Sequence, residues 1–380
     1  MQSNARTDIF KAKIVHWFEN TPLNKSILFF LVFCILSLLW GNHSIRNIRG
    51  SFKFIEGFLL LFIVLDTFPT AKSIKPLLGA LLLGGIVTSL NGIAQFYFTQ
   101  SPRIDSTFKD PTTLSAYLAL ILPLGFLFFK NKIKTRNKYI HLILFLIILS
   151  AFYLCYSRNT LFFLILSSVT VCLFFSKKTP FSIKITTFSL ALLIFSMLSF
   201  KFSSPKGALL ERGYLWKIAM NMVYDAPLLG HGIDSYTKIH KFYFPSKPQD
   251  MPYGSGSYLY LAYPHNSYLK LWIEIGLIGL LFYLYIYYCF FRYAFKIINK
   301  SQGETRFKLC LYLISIATLL TSTFFDTFLE GTQTRITLWL IIGLMMVELR
   351  DAEQTIQSEK VLKVVPETNA SPVPVDVLQT

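Results

Sequence analysis

The chain has little charge for its length, few cysteines and none of the short motifs that mark common soluble enzymes. Of its 380 residues, 15% are charged and five are cysteine. It has no phosphate-binding P-loop, no Gly-rich dinucleotide fingerprint, no His-Glu-x-x-His and no Gly-x-Ser-x-Gly. An Asp-x-Asp that could hold a metal on a nucleotide-sugar is also lacking. The sequence therefore argues against the usual types of nucleotide hydrolase, dinucleotide oxidoreductase, zinc protease and serine hydrolase.

The cysteines and histidines do not predict a metal site or a disulfide framework. The cysteines lie in or at the ends of apolar blocks and have no Cys-x-x-Cys spacing, so they are interpreted as small hydrophobic residues. His231, His240 and His265 share one loop, but their spacing matches no zinc pattern. No cofactor and no metal are therefore predicted.

Apolar residues, in contrast, are abundant and come in long blocks. They make up 53% of the chain, and the blocks have the length that spans a bilayer. This pattern predicts an all-α polytopic membrane protein; a large soluble helical protein is the alternative. Ten spans are predicted, at 26–41, 51–68, 76–98, 112–129, 139–156, 160–175, 184–200, 266–291, 307–325 and 334–349.

Basic residues concentrate in the links on one side of these spans. The net charge of +17 could suggest nucleic acid, but short basic links such as 130–138 are better explained by the positive-inside rule. No nucleic-acid partner is predicted, and both termini are placed in the cytoplasm. The predicted parts are a cytoplasmic segment 1–25, seven spans within 26–200, a periplasmic loop 201–265, three spans within 266–349 and a disordered cytoplasmic tail 350–380. The first apolar run is interpreted as a retained signal-anchor helix.

The stretch from Pro264 to Gly279 ends the long loop and begins an apolar helix. At about 100° per residue, His265, Gly276 and Gly279 share one stripe of that helix. The glycines would let a neighbouring helix approach closely. Lys270 and Glu274 lie four residues apart on the opposite face, where they can pair.

Three arginines fall at the same, periplasmic, membrane face as His265. Arg158 lies in a tight turn between two spans, Arg212 on an amphipathic helix over 207–224, and Arg335 at the beginning of the last span. Arginine suits phosphate because its planar fork gives paired hydrogen bonds, and histidine suits proton removal near neutral pH. The set is typical of a site for a lipid-anchored phosphate, although a transporter of an anionic solute would also place arginine in its pathway. The Gly- and Ser-rich segment 253–258 is a candidate lid.

These motifs resemble those of the O-antigen ligase family, which shares a conserved region with O-antigen polymerases. The family signature is His, then Asn, Ser or Gln, nine residues, Gly, two residues, then Gly, Thr or Tyr. His265, Asn266, Gly276 and Gly279 match it in full. The segment 211–232 resembles the family's Arg-containing loop helix with the Pro-to-Gly-x-Gly turn that follows, and 156–159 resembles its Ser-Arg turn. The resemblance covers roughly 150–345, and members usually have about twelve spans.

The resemblance implies transfer of a glycan from undecaprenyl pyrophosphate to a hydroxyl of lipid A-core, at the periplasmic face of the inner membrane, without metal or nucleotide. By this resemblance, His265 would be the base or the group that orients the acceptor, and Arg158 and Arg212 would bind the pyrophosphate. Supporting positions are Asn266, Arg335, Lys270 and Glu274. The alternatives are a polysaccharide polymerase of the same superfamily and, less favoured, a protein-glycosylating relative or an anionic-solute transporter.

Overall fold

The structure, a computed structural model, describes residues 21–40, 45–128, 135–176, 180, 207–244 and 263–364. Over these residues the protein is all-helical and has no strand. The α-helices in chain order are α1 (Asn24–Leu36), α2 (Ile45–Thr67), α3 (Lys75–Thr99), α4 (Pro111–Gly125), α5 (Thr135–Leu154), α6 (Arg158–Phe175), α7 (Gly207–Asp225), α8 (Tyr236–Ile239), α9 (Ser267–Lys300), α10 (Gly303–Ser322) and α11 (Thr332–Val364). Short 3-10 turns lie at Ser37–Leu39, Phe126–Phe128, His240–Tyr243 and Phe328–Glu330.

Local sequence explains where several of these helices begin. Asp110 caps α4, its carboxylate accepting a hydrogen bond from the backbone N–H of Thr113, and Pro111 follows at the first helical position. Asn266 caps α9 in the same way through the N–H of Leu269. α3 has a proline in its first turn and ends at Gln100 in the left-handed conformation. These caps stabilise the helix ends that border the site.

Five of the described helices, α3, α6, α9, α10 and α11, are long and apolar enough to cross a membrane. Three shorter apolar helices lie at Asn24–Leu39, Pro111–Gly125 and Tyr139–Leu154. Each predicted span within the described residues coincides with a helix, and the span 184–200 lies outside them. The architecture is that of a multi-pass helical membrane protein, while the count of ten spans stays a prediction.

Helix α11 forms the centre of the bundle. It packs against α2, α4, α9 and α10, and its residues from Leu338 to Leu349 are almost all buried. The outer helices instead expose large apolar side chains, as at Phe29 on α1, Leu83 on α3 and Ile143 on α5. Exposed apolar faces of this extent fit a lipid environment.

The last helix differs from its predicted end. It was expected to stop at 349, with a disordered tail from 350, yet α11 continues to Val364. The continuation is tied to its neighbours because Arg350 donates hydrogen bonds to the backbone carbonyls of Leu65, Phe68 and Pro69. Residues 350–364 are therefore helical, and 365–380 lie outside the described residues.

Helix α9 is broken at Gly276, where the backbone takes φ 66° and ψ 179°. The loop after α7 inserts at this break. His231 and Gly232 donate their N–H groups to the carbonyls of Ile273 and Glu274, at 2.9 and 2.8 Å. On the far side of the break, the N–H groups of Leu277 and Ile278 donate to the carbonyls of Pro227 and Leu228, at 2.9 and 3.2 Å. The backbone groups freed by the break are thus satisfied by one loop.

The break corrects the expectation for Gly276. A Cβ there would lie 2.1 Å from the carbonyl oxygen of Leu228, so the glycine admits the 226–232 loop rather than a neighbouring helix. Gly279 does pack against a helix, because a Cβ there would lie 2.6 Å from the ring of Phe33 on α1. The two glycines of the motif therefore have different partners.

Candidate functional site

His265 stands immediately before α9, in a left-handed backbone conformation with φ 45°. Its side chain is 25% exposed, and Nδ1 lies 3.4 Å from Oδ1 of Asp326. The neighbouring Ser267 donates its N–H to the carbonyls of Thr323 and Asp326, at 3.1 and 3.2 Å. His265 is therefore set against the link between α10 and α11, and the link supplies its carboxylate partner.

Asp326 was not singled out from the sequence. It lies in the predicted outer link 326–333, directly after the apolar pair Phe324-Phe325. Its Oδ1 also accepts a hydrogen bond from the N–H of Thr327 at 2.8 Å, which fixes the carboxylate. The two acidic residues of this short link, Asp326 and Glu330, were the signal that could have pointed to it.

Arg158 is the first residue of α6, and its side chain is exposed. The turn that carries it is fastened to the His265 segment through α10. Asn159 donates from Nδ2 to the carbonyl of Ser322 at 3.1 Å, next to the Thr323 carbonyl that Ser267 uses. The structure thus brings the Ser-Arg turn to the same corner as His265.

Arg212 lies on α7, one turn before Trp216. The indole of Trp216 donates to the carbonyl of Pro264 at 2.9 Å, so α7 is bound directly to the residue before His265. The ring of Phe325 lies between α6 and α7, 5.8 Å from Phe163 and 6.1 Å from Trp216. α6, α7, α9 and α10 therefore converge around the turn 322–326.

Arg335 has a different setting from the other two arginines. It is 3% exposed, and its guanidinium donates to the carbonyls of Leu329 and Glu330 and to the carboxylate of Glu56 at 3.3 Å. Among the described residues its Nε has no hydrogen-bond partner. Arg335 therefore supports the link 326–331 from within, and it is not a side chain that snorkels to the membrane surface.

A buried group of charges, called here the ionic cluster, lies beneath that link. Lys270 is 1% exposed and bonds to the carboxylates of Glu274 at 3.0 Å and Glu330 at 2.8 Å. Lys53 on α2 reaches Asp234 at 3.2 Å and Glu330 at 3.8 Å. The predicted pairing of Lys270 with Glu274 is present. Their partners on three other segments were missed, because nothing in the sequence places Lys53, Asp234 and Glu330 together.

The ionic cluster surrounds a cavity of about 20 Å³ that Arg335 also lines. This is room for about one water molecule. Burial by itself would raise the pKa of the Glu330 carboxyl, but the ammonium groups of Lys270 and Lys53 outweigh burial and hold that pKa below its usual range. Glu330 is therefore ionised near neutral pH, and the cluster joins the start of α9 to the link that carries Asp326.

The other loop histidines are engaged with backbone. A ring nitrogen of His231 lies 2.7 Å from the carbonyl of Met222, and one of His240 lies 3.0 Å from the carbonyl of Tyr236. Within the described part of the chain, no group of three or more His, Cys, Asp or Glu residues could hold a metal ion. The candidate lid 253–258 lies outside the described residues.

Comparison with known proteins bears on this arrangement. Residues 112–284 match the protein family described as O-antigen ligase. The chain is 25% identical over 296 residues to a Rickettsia conorii protein named "Putative polysaccharide ligase", which covers 72% of this chain and 68% of that protein. It is 26% identical over 310 residues to a Rickettsia felis protein of the same name, covering 74% and 70%. The family that matches residues 112–284 is the one that the motifs suggested, and the matched segment contains Arg158, Arg212 and His265.

Proposed function

From the premise that residues 112–284 are an O-antigen ligase family segment, we propose that this chain is a membrane glycosyltransferase. It transfers a glycan from undecaprenyl pyrophosphate to a hydroxyl of lipid A-core, at the periplasmic face of the inner membrane and without a metal or nucleotide. The observation that carries the proposal is the His265–Asp326 pair. α6 and α7 are both hydrogen-bonded to the segments that hold this pair, through Asn159 and Trp216. A base thus lies next to two arginine-bearing helices.

The chemistry needs only these side chains. The oxygen of the acceptor hydroxyl attacks the anomeric carbon of the donor, and a new C–O bond forms as the bond from that carbon to the pyrophosphate oxygen breaks. The hydroxyl proton passes to His265, and the leaving pyrophosphate keeps the electron pair. Arg158 and Arg212 stabilise the charge that develops on the pyrophosphate through paired, charge-assisted hydrogen bonds.

The carboxylate of Asp326 gives His265 its orientation. With Nδ1–H donated to Asp326, the lone pair of the imidazole lies on Nε2, which is the nitrogen that accepts the proton. Asn266 supports this placement by capping α9, so that the histidine stays outside the helix. Lys270, Glu274 and Arg335 act further back, by holding α9 and the link 326–331 together.

The break at Gly276 fits a site that stands above the membrane. Residues 277–300 alone are about 36 Å long at a rise of about 1.5 Å per residue, which spans a hydrocarbon core of about 30 Å. Residues 267–275 then form a separate outer segment. In this placement the ionic cluster lies in a protein layer at the periplasmic surface, and His265 faces lipid-borne substrates that the bilayer aligns.

The test is transfer by purified full-length protein in proteoliposomes that contain lipid-pyrophosphate glycan and lipid A-core. His265→Ala is expected to lower the rate about 10²- to 10⁴-fold, the usual loss for a missing general base, while the protein still purifies as a folded species. Arg158→Gln and Arg212→Gln are expected to weaken use of the donor. Activity of the parent protein is expected to persist with a chelator.

His240→Ala is the matched control, because His240 shares the outer loop and its ring bonds to the backbone carbonyl of Tyr236 on the neighbouring α8. Full transfer by His265→Ala, or a strict metal requirement, would contradict the mechanism. The same assay separates ligase from polymerase. A polymerase would lengthen the lipid-linked glycan and leave lipid A-core unmodified, and that result would replace the proposed acceptor.

A further inference from the structure

We infer that Lys109, on the link between α3 and α4, is a third cationic residue for the pyrophosphate of the donor. The inference rests on the proposed function and adds a segment that no motif pointed to. The link 100–110 runs from Gln100 to the cap of α4 and carries two basic residues, Arg103 and Lys109.

One end of the link is fastened to the Ser-Arg turn. Arg103 donates from Nε to the carbonyl of Cys155 at 3.0 Å, and the N–H of Ile104 bonds to the carbonyl of Leu154 at 3.4 Å. Ile104 is fully buried beneath the link. The link is therefore hydrogen-bonded to the backbone of Leu154 and Cys155, which precede Arg158 by four and three residues.

The other end of the link reaches the His265 segment. The ammonium of Lys109 lies 4.9 Å from the centre of the Tyr263 ring, two residues before His265. An ammonium over an aromatic face keeps N–H donors on its other sides. Lys109 is exposed, so these donors face solvent at the same corner as Arg158 and His265.

The acidic residues of the link are occupied elsewhere. Asp105 accepts a hydrogen bond from Gln95 on α3 at 2.6 Å. Asp110 accepts from the N–H and hydroxyl of Thr113, both at 2.8 Å, while it caps α4. The hydroxyl of Thr112 also donates to Asp110. Burial would raise the pKa of Asp110, but the hydrogen bonds from Thr112 and Thr113 outweigh burial and lower that pKa. The carboxylates of Asp105 and Asp110 therefore stabilise the link and its neighbouring helices, whereas the ammonium of Lys109 stays exposed.

The pyrophosphate of the donor carries two negative charges and gains a further one as the sugar leaves, which is more than two arginines neutralise. A lysine binds phosphate as a point charge without strict geometry. Lys109 and Arg212 are carried to the same corner by separate elements, since the link and α7 contact the segment 263–264 independently. Arg103 is a positioning residue, because its Nε–H donates to the Cys155 carbonyl and so fastens the link to the Ser-Arg turn.

The test compares Lys109→Gln with Lys241→Gln. Lys241 is the matched control, since its ammonium also lies over an aromatic ring, that of Phe242 at 5.2 Å, and both side chains belong to the outer segments. Lys109→Gln is expected to raise the donor KM about five- to tenfold and to weaken binding of undecaprenyl pyrophosphate alone, more at low salt than at high salt. Lys109→Arg is expected to restore both, and Lys241→Gln to change neither.

Two further arms separate the explanations. If Lys109 only pinned the His265 segment, Tyr263→Leu would reproduce the full loss, whereas retention of donor binding in Tyr263→Leu supports a direct contact. A change in the acceptor KM alone would assign Lys109 to the phosphates of lipid A and overturn the inference. Donor binding by Lys109→Gln equal to that of the parent protein would also overturn the inference. That result would not affect the proposed function, which the His265→Ala assay tests separately.

Discussion

The two ends of the bundle use charge in different ways. At the end that holds Arg350, each ion pair joins two regular helices: Lys308 with Glu348 at 3.0 Å and Lys296 with Glu353 at 3.2 Å. In both pairs the lysine remains accessible to water, although Glu348 is buried. At the end that holds His265, Lys270 is fully buried among carboxylates from separate segments.

The backbone also differs between the two ends, since unusual conformations concentrate at the His265 end, as buried charge does. Within the described residues, positive φ angles at the His265 end include those of Gly230, Gly232, Asp234, His265 and Gly276, whereas at the Arg350 end only Gly303 has one. Strained backbone and buried charge lower stability unless the surroundings hold them in place, and both concentrate at functional sites. The comparison indicates that one end serves packing, whereas the other accepts a cost in stability to hold a defined set of side chains.

The largest loss of stability is expected at Gly276, where the backbone conformation distinguishes the His265 end. Gly276→Ala would place a methyl group 2.1 Å from the Leu228 carbonyl oxygen and force a positive φ on alanine. We expect a loss of about 4 kcal/mol or more, seen as little monodisperse protein after extraction or a much lower melting temperature in detergent. Gly213→Ala on α7 is the control, because no heavy atom lies within 4 Å of its Cβ position. A stable Gly276→Ala protein would contradict the inserted loop.

The next effect tests buried against accessible charge. Lys270→Met leaves Glu274 and Glu330 without their shared cation, and breaking a buried pair in this way costs about 3–5 kcal/mol. Lys296→Met at the opposite end removes an ion pair whose lysine is 55% exposed, and such pairs contribute about 1 kcal/mol or less. Chemical or thermal unfolding of both variants in the same detergent measures the difference. Equal losses would show that the two ends do not differ in this respect.

Acid should weaken the His265 end through Glu330. Because the folded state lowers the pKa of this carboxyl below its ordinary value of 4.5, its contribution is present above that value and is lost as pH falls through the lower, folded value. Glu330→Gln is expected to cost about 1–3 kcal/mol at neutral pH. Melting temperatures measured from pH 7 to 3 should therefore converge for the variant and the parent at the acid end. Parallel curves over this range would contradict the assignment.

The sequence predicts the parts of this structure that depend on local pattern. Apolar block length predicts the helices, and the i,i+4 spacing predicts the Lys270–Glu274 pair that the structure contains. The motif places His265 directly before a helix, where the structure has it. These features depend on residues near one another in the chain.

The sequence does not predict what depends on distant segments. The interpretation of Gly276 failed because helical periodicity assumes an unbroken helix, and only the inserted 226–232 loop shows the break. Lys53 and Glu330 lie 277 positions apart in the numbering yet come within 3.8 Å. Arg335 was expected beside the membrane surface, but its partner Glu56 lies on another helix. Tertiary contacts of this kind leave no periodic signal.

The smallest expected effect on stability belongs to the contact closest to the proposed chemistry. The His265–Asp326 pair is long at 3.4 Å and partly exposed, so Asp326→Asn is expected to cost less than about 1 kcal/mol. Transfer should nevertheless slow by about tenfold or more with an unchanged donor KM, since the carboxylate orients the base and does not bind the pyrophosphate. Asp351→Asn, which removes a contact to the Ala71 N–H at the opposite end, is the control for activity. A raised donor KM at normal maximal rate in Asp326→Asn would move Asp326 from orienting the histidine to binding the donor.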